Sequence, residues 1–518
     1  MPDANYPITV SFDGGNLDCG NGLLLLIRKH IDPLNTGELL EVLSSEPSVR
    51  EDLPAWCRLT GNELVAERNF ADRTSFVVCK GKHIAASATS SDAKLASAAL
   101  HDGRRSMPLQ QSVEPVFIPD SLPTPATDVP PIRPLSVMGI GSWPRPAWLL
   151  RSLHDFLQGR MSEEEFHQAA DDSVRLIVAA QQRAGVDVVT DGEQRRDDYA
   201  SFVGGRLDNC QLIPVTDLLP YVDHPEEFAE SLNSLDVPAE KVRFPAVFGP
   251  LSRRNPMALH ELQFAQGLTE SPIKVALPGP YLLTRMMWME CISDRAYSDR
   301  ESLAEDVIRI LKEELHFLLA AGAAIVQFDE PVLTEAVYGR PSSGNRSFMC
   351  GALGNRGRGD EELAFAQTLI NRVVAGLPRD RIALHICRGN WTPDESAALS
   401  GDYHPLISLL SHVNVGTLFL EMCTPRAGEL AVLSQIPDSY RLGIGVVDQK
   451  SPRVEPVDEL VDRGEKAIQL FGAERVLLNP DCGFATFADN PISPMAIAEA
   501  KLTALATASH VLRERHQI

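Results

Sequence analysis

From Ser136 onward, short apolar runs alternate with long helical stretches. Eight of these runs have the length and composition of β-strands, and each ends in polar or turn residues. Eight strand–helix units over this length predict an α/β fold of the (β/α)8 or TIM-barrel type. The predicted strands are SVMGIGS, VDVVTDGE, IKVALPG, AIVQFDEP, RIALHIC, GTLFLEMC, RLGIGVV and RVLLNP.

The chain has 518 residues, which is too many for one ordinary core, so more than one domain is expected. Residues 1–82 contain strand and helix patterns and predict a small α/β two-layer sandwich. Residues 83–133 are rich first in Ala and Ser and then in Pro, which is typical of a linker. Residues 134–518 form the predicted barrel, with an inserted hairpin or subdomain within residues 206–272.

Four residues that suit a metal each lie at or just after the end of a predicted strand, namely His385, Cys387, Glu421 and Cys482. Two thiols, one imidazole and one carboxylate make a tetrahedral zinc site, and a parallel barrel keeps its active site at the strand ends. Taken singly, each residue is compatible with an ordinary buried position. Together they predict one Zn²⁺ per chain and chemistry on a sulfur substrate.

Charge and composition limit the partners. The net charge is -22 and no basic run is present, which argues against nucleic acid as a partner. The chain start has no basic region before a long apolar stretch, and the run at residues 23–27 is too short to span a membrane. Nine cysteines at irregular spacing do not resemble a secreted disulfide framework. We therefore expect a cytoplasmic protein that acts on small molecules and does not contact a membrane.

Seven segments between about 136 and 490 resemble the catalytic barrel of cobalamin-independent methionine synthase. They are IGSWP, DVVTDGE, VQFDEP, HICRGN, LFLEMC, DQKSPRV and NPDCG. The resemblance implies that the four residues above are zinc ligands. It also implies that zinc holds a thiol substrate as a thiolate, which attacks a methyl group on folate. Zinc coordination removes the thiol proton and leaves a good sulfur nucleophile.

The resemblance further implies how an amino-acid thiol is held. The substrate carboxylate would be bound by Ile140, Gly141 and Ser142. Its ammonium group would be bound by Glu193 and Asp329, and Asp329 is also expected to be a catalytic residue. The alternative for the two acids is a solvated loop position or a helix cap. For Glu330, which adjoins Asp329, the alternative to substrate binding is a structural role.

Two features depart from the methionine synthase pattern. The extra N-terminal barrel of the two-barrel type is absent, so only the short core form fits. Lys450 stands where the family has a His that helps to protonate the departing methyl carrier. A lysine acts as a catalytic acid only if its pKa is tuned, so the methyl donor stays open. The same barrel also occurs in epoxide-opening coenzyme M transferases and other zinc–thiol alkyltransferases.

The N-terminal unit resembles a sulfur carrier of the TusA/SirA type through LDCGNGLLLLIRK, GELLEVLSSEPSVREDLPAWC and GNELV. The working cysteine of that family falls on Cys19, and Cys57 matches a second cysteine that is often present. The resemblance implies a persulfide on Cys19, delivered by a sulfurtransferase partner. We expect Cys19 to be partly exposed at a helix N-terminus, where a thiolate is favoured. The alternative is a small folding domain with a buried Cys19.

Three functions follow from these patterns. The leading one is a zinc-dependent transferase that moves a methyl or other alkyl group onto a zinc-bound thiolate, with a homocysteine-like acceptor. The second is sulfur insertion, in which a Cys19 persulfide delivers sulfur to the zinc site to make a new thiol on a small organic acceptor. The third is a non-catalytic carrier that handles sulfur.

Overall fold

The computed structural model shows a mixed α/β protein. It describes residues 6–19, 22–70, 72–83, 116–157, 160–215, 243–289, 293, 296–338, 359–390, 393–395, 398–488 and 492–518. Much of the predicted linker and the middle of the predicted insertion therefore lie outside the described residues. None of the helices in the described part is both long enough and apolar enough to cross a membrane.

A four-stranded sheet forms the N-terminal unit, in the order β1-β2-β4-β3. Strands β1 and β2 are parallel, and the other two pairs are antiparallel. Two helices share an apolar core with the sheet, in which Leu23, Leu40, Leu53 and Phe76 are almost fully buried. The elements are β1 (Ile8–Asp13), α1 (Leu23–Ile31), β2 (Leu39–Ser44), α2 (Val49–Leu59), β3 (Glu63–Asn69) and β4 (Thr74–Cys79).

Six parallel strands form the main sheet, and each pairs with the next along the chain. They are β7 (Lys274–Pro278), β8 (Ile325–Asp329), β9 (Ile382–Ile386), β10 (Thr417–Leu420), β11 (Arg441–Val447) and β12 (Val476–Pro480). These strands coincide with the last six strands predicted from the sequence. All are buried along their length except at Arg441.

The first two predicted strands contribute single parallel residue pairs instead of regular strands. Val137 pairs with Leu478 of β12, Met138 with Val188, and Val189 with Ile273 just before β7. These pairs therefore connect β12, the last strand of the sheet, to β7, the first, through residues 137–138 and 188–189. Regular pairing is interrupted at Val137, because its N–H donates to the Asp187 carboxylate at 2.8 Å.

Helices surround this sheet and bury its outer face. They are α3 (Ala147–Leu157), α4 (Glu163–Ala184), α5 (Leu259–Gln266), α6 (Pro280–Met287), α7 (Arg300–Ala320), α8 (Val332–Tyr338), α9 (Gly359–Val374), α10 (Ile407–Leu410), α11 (Val457–Phe471) and α12 (Met495–His516). A separate apolar cluster contains side chains from strands on opposite sides of the pairing circuit. Its members are Met138, Ile140, Val188, Ile325, Ala383, Phe419 and Leu477.

An antiparallel hairpin of β5 (Leu207–Pro214) and β6 (Arg243–Arg253) lies within the predicted insertion. The N-terminal unit contacts this hairpin through α1. The side-chain amide of Gln211 donates to the Arg28 carbonyl at 3.3 Å and to the Asp32 carboxylate at 3.0 Å. Leu25 and Leu26 of α1 belong to the same buried cluster as the hairpin and the main sheet. The small unit is therefore docked on the larger one.

The Pro-rich end of the predicted linker also contacts the larger unit. The Ala126 N–H donates to the Leu319 carbonyl at 3.1 Å, and Arg381 donates to the Ala126 carbonyl at 2.6 Å. The last part of this segment is thus held against the end of α7. The predicted domain boundaries themselves stay a prediction.

Candidate metal centre and substrate cavity

Four potential metal ligands meet at the carboxyl ends of three parallel strands. His385 lies in β9 and Cys387 directly after it, while Glu421 follows β10 and Cys482 follows β12. Ligand atoms of His385, Glu421 and Cys482 all lie within 4.8 Å of one another. The Cys387 sulfur is 3.5 Å from that of Cys482. The fold thus brings together the four residues that the sequence singled out.

The hydrogen bonds of His385 suit a metal ligand. The Asp329 carboxylate accepts from the Nδ1 of His385 at 2.8 Å, which leaves a lone pair on Nε2. The Nε2 atom is buried and has no hydrogen-bond partner within the described part of the chain. A carboxylate that orients the far nitrogen of a ligating histidine is a frequent arrangement in metal sites.

The two thiols are also arranged for a cation. The hydrogen bond between the Cys482 and Cys387 thiols, together with burial, raises the pKa of the Cys482 thiol well above its ordinary value. Two buried sulfurs this close are hard to ionise without a positive charge between them. A bound divalent cation supplies that charge and deprotonates coordinating thiols. The donor set of two thiols, an imidazole and a carboxylate fits zinc.

Glu421 is fixed in place by donors on both carboxylate oxygens. The Arg388 N–H donates to Oε1 at 2.8 Å, and the Arg426 guanidinium donates to Oε2 at 3.2 Å. The side chain is 1% exposed. A carboxylate oxygen has two lone pairs, so this arrangement orients Glu421 and still leaves it able to act as a ligand.

A cavity of about 450 Å³, counting the space at its open mouth, adjoins the metal ligands. It brings together most of the residues predicted for the metal and for the substrate. Tyr199, Asn390 and Thr486 also contribute, and sequence reasoning did not select them. Its lining consists of Ile140, Gly141, Ser142, Glu193, Tyr199, Asp329, Pro331, His385, Cys387, Asn390, Cys482, Gly483 and Thr486.

Glu193 is the most constrained residue of the cavity. Its backbone is left-handed, with φ of 57°, and its side chain is 4% exposed. A Cβ atom at Gly141 would lie 2.2 Å from the Glu193 carboxylate, so this close approach requires glycine. Burial raises the pKa of Glu193 to about 8, and the nearby Asp329 charge adds to the rise while Arg196 opposes it. A cationic group in the cavity would relieve this cost.

Glu330 points away from the cavity although it adjoins Asp329. Its carboxylate accepts from the backbone N–H groups of Tyr281 and Leu282 at 2.8 and 2.9 Å, in the first turn of α6. Burial raises its pKa to about 8 in spite of these bonds. The structural alternative stated for this residue therefore agrees with the geometry.

Lys450 is buried beside the cavity and is not one of the described residues that line it. Its ammonium nitrogen lies 3.8 Å from a Glu395 carboxylate oxygen. Glu395 also accepts from Arg426 at 2.7 Å, and Arg426 contacts Glu421. Asn390, bonded to Gln449, stands at the wall of the cavity on the side of Lys450.

The expectation of an exposed Cys19 at a helix N-terminus is wrong. Cys19 is 5% exposed and packs in the core of the small unit with Cys57. Helix α1 begins only at Leu23, because Gly22 takes a left-handed backbone with φ of 104° directly before it. Burial, with contributions from Asp52 and Asp18, raises the pKa of Cys19 to about 12, which disfavours a thiolate.

Comparison with protein families gives matches in both units. Residues 135–499 match the family described as the catalytic domain of cobalamin-independent synthase, which confirms the resemblance inferred for the barrel. Residues 22–80 match the family of sulfurtransferase TusA, and this match begins after Cys19.

Relatives with a curated name agree with the first match. Methionine synthase from Saccharolobus solfataricus is 26% identical, and the alignment covers 74% of this chain and 96% of that protein. Methionine synthase from Thermococcus kodakarensis is 28% identical, with 68% of this chain and 87% of that protein covered. The larger unit thus corresponds to nearly the whole length of these relatives.

Solved structures support the fold. A B12-independent methionine synthase from Shewanella sp. W3-18-1, in complex with selenomethionine, has a TM-score of 0.57 at 24% identity. The alignment covers 74% of this chain and 99% of that one. A second structure, of a protein from Listeria monocytogenes, has a TM-score of 0.53 at 18% identity.

Proposed function

This chain belongs to the cobalamin-independent synthase family through its catalytic domain, and on that premise we propose that it transfers a methyl group to a homocysteine-like thiol at a zinc centre. The observation that carries the proposal is the convergence of two thiols, an imidazole and a carboxylate beside a cavity that contains two further carboxylates. We also interpret the closed circuit of parallel pairs as the (β/α)8 barrel, with this cavity at the carboxyl ends of its strands.

The proposed ligands of the zinc are His385, Cys387, Glu421 and Cys482. When bound, zinc keeps a substrate thiol ionised near neutral pH, which makes the sulfur nucleophilic. Asp329 contributes by holding the proton of His385 on Nδ1, so that the Nε2 lone pair would be available to a metal.

The cavity walls supply the proposed clamp for the amino-acid end of the substrate. Glu193 and Asp329 bind the ammonium group, which explains why two buried carboxylates are placed side by side. The backbone and hydroxyl of Ile140, Gly141 and Ser142 face the same space and are proposed to bind the carboxylate. Fixing both ends of the amino acid aims its sulfur at the metal and reduces the entropic cost of reaction.

Lys450 is proposed to act on the departing methyl carrier. Its support is a buried ammonium group with one ion-pair contact at 3.8 Å among the described residues, linked through Glu395 and Arg426 to Glu421. Sulfur insertion from a Cys19 persulfide is disfavoured as the main function, because Cys19 is buried in the core of the small unit.

Metal analysis and a methyl-transfer assay on the full chain test the proposal. We expect about one zinc per chain and conversion of homocysteine to methionine with a methylated folate or a methyl-corrinoid as donor. The Cys482→Ser variant should lose both zinc and activity while its circular dichroism stays unchanged. Cys423→Ser is the matched control, because the Cys423 sulfur accepts a hydrogen bond from Arg463 and is not one of the proposed ligands. This variant should keep both zinc and activity.

The Lys450→Ala variant should keep zinc and should turn over more slowly.

Two results would contradict these assignments. Full zinc occupancy in Cys482→Ser would remove that residue from the ligand set. A zinc-loaded wild-type protein that methylates no thiol with either class of donor would rule out the proposed reaction.

A further inference from the structure

A chain of four buried side chains crosses three adjacent strands beneath the metal centre. Lys274 of β7 donates to the side-chain carbonyl of Gln327 in β8 at 2.7 Å. The Gln327 amide nitrogen donates to Asp329 Oδ1 at 2.7 Å, and the same oxygen accepts from His385 Nδ1 of β9 at 2.8 Å. All four residues are 8% exposed or less.

The groups at both ends set the direction of the bonds in this chain, because the Lys274 ammonium group only donates and the Asp329 carboxylate only accepts. A lysine ammonium group has only donors, so it requires the oxygen of the Gln327 amide to face it. The amide nitrogen must then point to Asp329, and the Asp329 oxygen acts as an acceptor for both of its neighbours. The proton of His385 therefore lies on Nδ1, and its Nε2 lone pair stays free.

Lys274 is not explained by an ion pair. It is 1% exposed, its ammonium group donates to Gln327, and the centre of the Phe419 ring is 4.3 Å from the ammonium nitrogen. Burying an ammonium group without a carboxylate partner is costly. Burial lowers the pKa of Lys274 to about 7, and the charges of Asp329 and Glu193 oppose that change. The cost is understandable if Lys274 serves the carboxylates of the cavity.

We propose that Lys274 is a positioning residue of the metal centre, which selects the His385 tautomer that can bind the metal by fixing the orientation of the Gln327 amide. The inference rests on the proposed function, because it concerns the same site. With the amide reversed, the oxygen of Gln327 would oppose that of Asp329. Asp329 would then be displaced from His385, and the proton could move to Nε2, where it blocks coordination.

The test uses the full-length protein with ¹⁵N-labelled histidine and the Lys274→Met variant, which keeps the length of the side chain and removes its donors. In the metal-free wild type, ring nitrogen shifts should show His385 as the single Nδ1–H tautomer, assigned by comparison with His385→Gln. In Lys274→Met both tautomers should appear. Zinc affinity, measured by competition with a chelator, should fall by about 10- to 100-fold, as for the loss of other outer partners of metal ligands.

Lys501→Met is the matched control. Lys501 is 0% exposed and donates to the Glu455 carboxylate at 2.8 Å. Its replacement therefore also removes a buried ammonium group from the protein. It lies on α12, outside the chain of bonds, and should leave the His385 tautomer and the zinc affinity unchanged.

A second variant covers the case in which Lys274→Met does not fold. Gln327→Glu gives Lys274 an ion-pair partner and places a second carboxylate against Asp329. Both tautomers of His385 should therefore appear in this variant, and zinc binding should weaken. Unchanged tautomer and affinity in whichever of the two variants folds would overturn the proposal. A wild type with a pure Nδ1–H tautomer that binds no zinc would instead overturn the proposed function and leave the bond chain intact.

Discussion

Glu193 combines two costs at one residue, a left-handed backbone and a buried carboxylate. A left-handed backbone at a residue other than glycine costs on the order of 1–3 kcal/mol, and such residues cluster at functional sites. Both costs have a common explanation if Glu193 must face the ammonium group of a ligand. The residue then has a measurable role in binding that can be separated from the chemistry at sulfur.

Amino-acid binding should release a proton from Glu193. Its pKa of about 8 in the free protein means that it is mostly protonated at pH 7, whereas an ammonium ligand favours the ionised form. Affinity should therefore rise by up to tenfold per pH unit from pH 6 to about 8 and then level off. Calorimetry in two buffers of different ionisation enthalpy measures the proton release, with norleucine as ligand so that no thiol proton contributes.

The Glu193→Gln variant provides the control for this measurement. Its side chain is nearly the same size and does not titrate, so binding should be weaker and should release no proton from this position. Equal proton release in the wild type and in Glu193→Gln would show that another group titrates.

Sequence reasoning selected the four proposed metal ligands because each lies within two residues of the end of a strand whose pattern is clear. It missed Tyr199 and Thr486, since each lies in a loop that approaches the cavity only in the folded chain. It was wrong about Cys19, because the resemblance could not show that Gly22 delays the start of α1. Residue types at strand ends are thus predictable, while burial and helix boundaries depend on packing.

At the scale of elements, Glu330 joins two parts of the larger unit. Its backbone ends β8 beside Asp329, and its side chain holds the first turn of α6. The carboxylate satisfies two N–H groups that have no partner inside the helix, and it also suits the positive end of the helix dipole. This residue therefore links the position of Asp329 to the helix that follows β7.

Replacement of Glu330 with Ala should destabilise the protein by about 2–6 kcal/mol, because it leaves two buried N–H groups unsatisfied at roughly 1–3 kcal/mol each. Urea unfolding followed by circular dichroism measures the change. Ser162→Ala offers a comparison at the exposed start of α4, where the Ser162 hydroxyl accepts from Glu165, and it should cost only about 1 kcal/mol. Similar losses in the two variants would contradict the role assigned to Glu330.

The alternating pattern located the strands well, and the hairpin of β5 and β6 also appeared where extra chain was expected. The first two strands were the exception. Asp187 takes the N–H of Val137, and this side-chain bond replaces a backbone bond of the sheet. No periodic pattern signals such a replacement, because the apolar residues remain in the positions typical of a strand.

At the scale of the molecule, the small unit is docked on the hairpin of β5 and β6 through α1. The contact includes buried leucines and the two hydrogen bonds of Gln211. This contact holds the small unit against the larger one. A carrier role for Cys19 would require both an opening of the small unit's core and access for a donor.

Cys19 should accordingly react slowly in the native protein. With a pKa of about 12 and 5% exposure, its alkylation by iodoacetamide at pH 7.5 should be at least about 100-fold slower than that of a free thiol. Mass spectrometry of peptides after timed labelling measures the rate, and labelling in urea gives the unhindered reference.

The Cys19→Ser variant should methylate a supplied thiol at the wild-type rate. Fast native labelling, or loss of methyl transfer in this variant, would show that Cys19 takes part in the reaction.

The circuit of strands is completed by residues that are far apart along the chain. Ser509 of the last helix donates to the Leu135 carbonyl across 374 positions, and Val137 pairs with Leu478. At a synthesis rate of about 5–20 residues per second, Leu135 waits roughly 20–75 s on the ribosome for that partner. The sheet of the small unit is complete by Cys79 and needs no such delay. The small unit is thus free to fold during translation, while the catalytic unit closes only when its final helix emerges.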